Sequence, residues 1–157
     1  MTTTPIRCLI LACGNTTRSD DGMGPFLAEW AEKRFRNNAN VRVVSRQQWT
    51  PELAEEVAAA DSVLFVDSSA DSAPGHVRLI PVEAKDGGSG AATHHMGAPE
   101  LLGLARAFYG SRPAHAMLLT VGTGSTEFGE TFSERVEAAL PRAQGLLEKA
   151  VLRFVAN

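Results

Sequence analysis

Asp20 and Asp21 stand side by side in the stretch GNTTRSDDGMG (14–24), directly after the apolar run IRCLILAC, and a third carboxylate, Asp67, follows the apolar run SVLFV. His94 and His95 are adjacent at the end of a glycine-rich stretch, KDGGSGAATHH. Two carboxylates and an imidazole converging on one edge would make a mixed nitrogen and oxygen donor set for a divalent metal. Each residue also has a plainer reading. An aspartate beside a helix start caps free N–H groups and complements the positive end of the dipole, worth about 1 kcal/mol. Asp67, ahead of two serines, could close an Asx turn. A histidine pair in a glycine-rich loop can simply be solvated, and since neighbouring extended residues point opposite ways, only one of the two would face a given site.

Other chemistries find little support. Cys8 and Cys13 are the only cysteines, too few for a disulfide framework and wrongly spaced for a metal ribbon. Cys13 stands near the carboxylates, but no base is placed to activate it, and a free cysteine at a strand end is ordinarily a small buried hydrophobe. There is no G-x-S-x-G elbow. Gly14, Gly22 and Gly24 lack dinucleotide-fingerprint spacing, and VGTGSTEFG has no GK[ST]. His76 and His115, in or next to strands, read as structural.

The elements that must position these residues alternate. Ile6 to Cys13 is a continuous apolar run closed by Gly14-Asn15, as expected of a buried strand ending in a turn. A helix is expected over Pro25 to Phe35, with Pro25 at its first position and Phe26, Leu27, Trp30 and Phe35 on one face. Val41 to Val44 is a second strand. Thr50 reads as an N-cap before a helix that turns Leu53 and Val57 inward. Ser62 to Val66 is a third strand, ending at Asp67. Only about ten residues precede the next strand, His76 to Pro81, too few for a parallel crossover, so this strand should run antiparallel. A helix from Ala98 to Tyr109 carries Leu101, Leu102, Ala105 and Phe108 and stops at Gly110. Ala116 to Val121 is a fifth strand. The end is helical from about Phe132, with a Thr131–Glu134 capping box and a kink or break at Pro141. Strands alternating with helices predict a three-layer α/β/α sandwich with a mostly parallel five-stranded sheet. Its ligands belong outside the carboxyl ends of the strands, where Asp20, Asp21 and Asp67 all fall.

Composition narrows the partners. The chain of 157 residues suits a single domain spanning 1–157, with 44% hydrophobic and 21% charged residues. Net charge is −3, and no basic block exists, which argues against nucleic acid and anionic membranes as partners. The first apolar run is too short for a transmembrane span and has no basic segment before it. A reducing cytoplasm is the expected compartment, and a monomer the expected state.

Taken together, GN, a short spacer and DDGMG after the first strand resemble the signature of the nickel–iron hydrogenase maturation proteases. The likeness continues through VLFVDSS, THHMGAPELL and EFGETFSERVEAALP, in the same order and over nearly the whole chain. The resemblance implies a single α/β/α domain and a metal site formed by Asp21, Asp67 and a histidine. The His-x-x-Gly spacing into the helix selects His94, with Gly97 and Leu101-Leu102 following. His95 takes the neighbouring place, often an amide in relatives. Asp20 is then left as the helix cap. The implied activity is removal of a C-terminal extension from the hydrogenase large-subunit precursor, by water attack without a serine or cysteine nucleophile. The nickel is supplied by the substrate, and no organic cofactor takes part. The Thr16-Thr17-Arg18 spacer and the proline-free VGTGSTEFG loop depart from the usual pattern and bear on which subunit is the partner. If the fourth strand is antiparallel, the segment from Lys85 to Met96 must cross the domain to deliver His94, and it should become ordered when that subunit docks.

Overall fold

The computed structural model describes residues 6–85 and 96–156. The elements run β1 (Ile6–Cys13), α1 (Met23–Arg34), β2 (Val41–Arg46), α2 (Ala54–Ala58), β3 (Ala60–Ser69), β4 (Val77–Pro81), α3 (Ala98–Tyr109), β5 (His115–Gly122) and α4 (Glu134–Ala156), with 3-10 turns at Ser19–Gly22 and Pro51–Leu53. The strands form one sheet in the order β2-β1-β3-β5-β4. β1 pairs in parallel with β2 and β3, and β3 with β5, whereas β4 runs antiparallel along β5. The expected sandwich is therefore present, and the short connection into β4 does reverse the chain.

β1 lies in the interior of the sheet and is covered on both faces, so from Cys8 to Cys13 its sequence is apolar rather than alternating, with the exposed Arg7 at its start. Cys8, Ile10 and Ala12 pack with Leu27, Ala31, Leu147 and Val151 of α1 and α4. Leu9, Leu11 and Cys13 point the other way, into a second cluster with Val57, Leu101 and Ala105 of α2 and α3. The period-two alternation of strand side chains thus feeds two separate cores.

Several local expectations are corrected. α1 begins at Met23, which puts Pro25 third; its N–H would still be one of the four that no helical carbonyl reaches. Its buried stripe is Met23, Leu27, Ala28 and Ala31, while Phe26 is exposed and meets Phe132 edge-on at 5.6 Å. Phe108 of α3 is likewise exposed. Thr50 occupies the cap position in extended backbone but makes no side-chain cap bond. α4 is one helix of 23 residues with Pro141 inside it. Pro141 and Glu137, whose carbonyl loses its partner, both lie on the exposed side where water serves them, while Val136, Leu140, Ala143 and Leu147 hold the helix to the sheet. The capping box is displaced as well. Glu134 is the first helical residue, and the Ser133 carbonyl accepts the amide of Glu137.

Candidate functional site

From β1 the chain passes to β2 on one side and returns to β3 on the other, so the topological switch lies between β1 and β3. Open α/β sheets bind ligands outside the carboxyl ends at such a point. The two strands differ in length there. Their last paired residues are Ala12 and Val66, whereas Asp67, Ser68 and Ser69 go on to pair with Thr120, Val121 and Gly122 of β5. Asp67 therefore sits within β3 rather than at its end, and its β1 side is left to the loop that follows β1.

Two glycines fold that loop back. Gly14 adopts φ +151°, and a Cβ there would fall 2.0 Å from the Asp21 carbonyl oxygen. A Cβ on Gly24 would fall 2.2 Å from the carbonyl oxygen of Cys13. The half-buried Asp21 is thereby delivered to β3. Its Oδ1 accepts the Ser68 hydroxyl at 2.7 Å and its Oδ2 the Asn15 amide at 2.8 Å. The amide of Ser68 donates to Asp67 Oδ1 at 2.8 Å. Asp67 thus bonds the next residue's N–H and closes no Asx turn, which would reach two residues on. Ser68 joins the two carboxylates; sequence reasoning missed it, because a serine after an aspartate carries no distinctive signal.

Asp20 does something different from what its neighbour suggested. It caps no helix of its own motif: α1 has Gly22 at its cap position and no side-chain cap bond. Its carboxylate is fully buried and reaches across the fold. Oδ2 accepts the Gly124 amide at 2.7 Å, the Ser125 amide at 2.9 Å and the Ser133 hydroxyl at 2.7 Å, and Oδ1 accepts the Ser133 amide at 2.6 Å. Burial pushes the carboxyl up, but the bonds from Ser133, Ser125 and Gly124 outweigh it and hold the group below the usual carboxylate range.

Cys13 completes the surroundings as an inert thiol. Burial raises its pKa first, then the charge of Asp67 and the hydrogen bond made to it, then the charge of Asp21. Cys8 is pushed up to about 12 by burial, against a lowering contact with Ser62. A thiol held neutral is a poor nucleophile.

His94 and His95, and with them the expectation of a loop crossing the domain, lie outside the described residues. The flanks of that segment are anchored: the Lys85 amide donates to the Pro99 carbonyl at 2.9 Å, and the Gly97 amide to Glu100 Oε1 at 3.0 Å. His115 opens β5 and stacks on Phe154 with ring centroids 6.2 Å apart. It lines a groove of about 1080 Å³ between the start of β5 and the end of α4, which contains neither Asp21 nor Asp67. Among the described residues, no three His, Cys, Asp or Glu side chains are disposed to hold a metal ion, and no helix is long and apolar enough to cross a membrane.

No family model matches the chain. Hydrogenase expression/formation protein HoxM of Azotobacter vinelandii is 30% identical over 154 residues, covering 95% of this chain and 72% of that protein. HupM of Azotobacter chroococcum mcd 1, of the same description, is 30% identical over 148 residues, covering 91% of this chain and 70% of its own length. Among solved structures, the hydrogenase maturating endopeptidase HybD from E. coli superposes with a TM-score of 0.72 at 25% identity, covering 94% of this chain and 93% of that one. HycI, a nickel–iron hydrogenase maturation protease from Thermococcus kodakarensis KOD1, does so with a TM-score of 0.67 at 25% identity, covering 99% and 96%. Likeness of this extent in both sequence and fold means that the chain belongs to the hydrogenase maturation proteases and is a peptidase of that family.

Proposed function

We propose that this chain removes the C-terminal extension of a nickel-loaded hydrogenase large-subunit precursor, and that the nickel carried by the substrate is what it recognises. The observation that carries the reading is the pairing of Asp21 and Asp67 through Ser68 at the topological switch. Ser68 and Asn15 fix the orientation of Asp21 while leaving lone pairs on both of its oxygens. Hard carboxylate oxygens and the imidazole of His94 would complete the coordination of a nickel ion whose other ligands belong to the substrate.

Nickel so placed orients the scissile peptide and supplies Lewis-acid polarisation of its carbonyl or of an attacking water. Hydrolysis consumes one water: its oxygen joins the carbonyl carbon, the C–N bond breaks, and the leaving amine takes a proton. A neutral, buried Cys13 offers no competing covalent route. Asp21, Asp67 and His94 are the residues proposed to carry this work, in a cytoplasmic monomer that contributes neither nickel nor an organic cofactor of its own.

The test is incubation of the purified chain with its precursor in nickel-loaded and nickel-free forms, read by intact mass. Shortening of the nickel-loaded form alone is expected. Equal cleavage of both forms would overturn nickel recognition, and no cleavage of either would overturn the assignment of this substrate.

A further inference from the structure

The loop from Thr123 to Ser133, between β5 and α4, is held with unusual care for a surface connection. Its two ends meet on one buried side chain: Asp20 takes the Gly124 and Ser125 amides from the start of the loop, and the Ser133 amide and hydroxyl from its end. The Asp20 amide donates to the Ser125 carbonyl at 3.0 Å, and the Thr123 amide to the Ser69 carbonyl at 3.0 Å. A compact loop closed at its base in this way has the character of an Ω-loop, a class that frequently carries function.

The tip is fastened separately. The Ser19 amide donates to the Gly129 carbonyl at 2.8 Å, the Gly129 amide to the Thr17 carbonyl at 2.9 Å, and the Ser19 hydroxyl to the Glu127 carbonyl at 2.8 Å. Ser19 does this at φ 49°, the one positive φ among the described non-glycine residues, a conformation that costs a side-chain-bearing residue about 1–2 kcal/mol.

What all this support holds up is Phe128. Its ring is 81% exposed, so it contributes almost nothing to the core. The exposed Arg18 places its guanidinium carbon 4.5 Å from the ring centroid. Arg18 and Ser19 immediately precede the aspartate pair, and Ser69, which anchors the loop base, immediately follows Ser68. The cation that meets the ring thus belongs to a residue three positions before Asp21, so a macromolecule that reached Asp21 would come within reach of this tip.

We propose that Phe128, with Arg18 laid across its ring, is a preformed docking anchor that inserts into an apolar pocket on the large-subunit precursor, beside the segment presented to Asp21 and Asp67. The inference rests on the substrate reading given above. Aromatic and arginine side chains are the types that dominate interface energies. Here the ring and the cation order each other before contact, which lowers the entropy lost on binding. The pocket that fits this pair has an apolar floor for the ring and an acidic group at its edge for the guanidinium.

The experiment uses the full chain and its nickel-loaded precursor. Phe128→Ala, Phe128→Trp and Arg18→Ala are compared with the unaltered chain by calorimetric Kd, by cleavage kinetics and by thermal melting. Phe128→Ala should weaken binding about tenfold or more and raise KM in step. kcat at saturation should stay unchanged, since uniform binding has been removed, and an exposed ring should leave the melting temperature where it was. Phe128→Trp should recover most of the affinity, and Arg18→Ala should fall between.

Unchanged Kd and KM in Phe128→Ala would overturn the anchor while leaving the protease reading intact. So would a fall in kcat alone, or a change from dimer to monomer in sedimentation with precursor affinity preserved, which would make a second copy the occupant. Binding without cleavage by the unaltered chain would overturn the protease reading instead, and the anchor would then be decided on Kd.

Discussion

The Ser68 hydroxyl donates to Asp21 Oδ1 at 2.7 Å, while the amide of the same residue donates to Asp67 Oδ1 at 2.8 Å. One serine thus ties the carboxylate delivered by the loop to the carboxylate on the strand. Because β3 is locked to β5 on its other side at this height, the serine transmits a rigid reference to a side chain carried by a loop.

Removing that hydroxyl should loosen Asp21 without unfolding the chain. Ser68→Ala is expected to lower kcat/KM on nickel-loaded precursor by about 10–100-fold, the range seen when partners that orient metal-binding carboxylates are lost. Its stability should change by only about 1 kcal/mol, the net worth of one hydrogen bond. Ser68→Thr keeps the hydroxyl and should retain more activity. Wild-type cleavage by Ser68→Ala would show that Asp21 holds its place without help.

The adjacent aspartates should separate cleanly into one that works and one that holds. Asp21→Asn should abolish cleavage with little loss of stability, since the backbone amide of Asn15 can still donate to the amide oxygen while the Ser68 hydroxyl turns to accept from the NH2. Asp20→Asn should behave in the opposite way. Three donors converge on Oδ2 and a fourth, the Ser133 amide, on Oδ1. An amide group can accept on one side only, so its NH2 must confront an N–H donor in a buried site. A loss of about 3 kcal/mol is expected from the unsatisfied donor and the lost charge-assisted bonds. Urea titration of both variants beside a cleavage assay checks the division. A stable but inactive Asp20→Asn paired with an active Asp21→Asn would exchange the two roles.

The bonds made by Asp20 show where the sequence stopped being informative. The sheet was legible because β1 and β3 are apolar runs with punctuated ends, and the reversal into β4 followed from a connection too short to cross over. The gathering of Asp21 and Asp67 at one edge followed from the same strand ends. What Asp20 bonds was not legible, since Gly124, Ser125 and Ser133 lie more than a hundred positions away and the local pattern of an aspartate before a helix suggested a cap. Pro141 does not divide α4, because the Glu137 carbonyl that it leaves without a helical partner lies on the exposed side, where water can serve it.

Asp20 should also make stability depend on pH. Its folded pKa lies below the usual carboxylate range, so the native state holds the ionised form more tightly than the unfolded chain does. The resulting stability is fully present above the ordinary aspartate pKa of about 3.9 and is lost as pH falls through the depressed folded value. Unfolding free energy measured from pH 7 down to pH 2 should therefore fall steeply below about pH 4. Asp20→Asn should start lower and fall less. Parallel pH profiles for the two proteins would show that the Asp20 bonds contribute no ionisation-linked stability.

The buried thiols should be silent toward both reagents and catalysis. Cys8 is fully buried and Cys13 is 9% exposed, and alkylation requires an accessible thiolate. Iodoacetamide at pH 8 should label neither residue at an appreciable rate in the native chain and both after urea unfolding, as read by mass. Cleavage of nickel-loaded precursor should survive preincubation with iodoacetamide or with a serine-directed fluorophosphonate. Cys13→Ala should keep substantial activity, because the sulfur forms no bond in the reaction, although the loss of its hydrogen bond to Asp67 leaves that carboxylate freer to move. Rapid inactivation tracking with a single alkylation at Cys13 would place a nucleophile at the end of β1 and displace water from the attacking role.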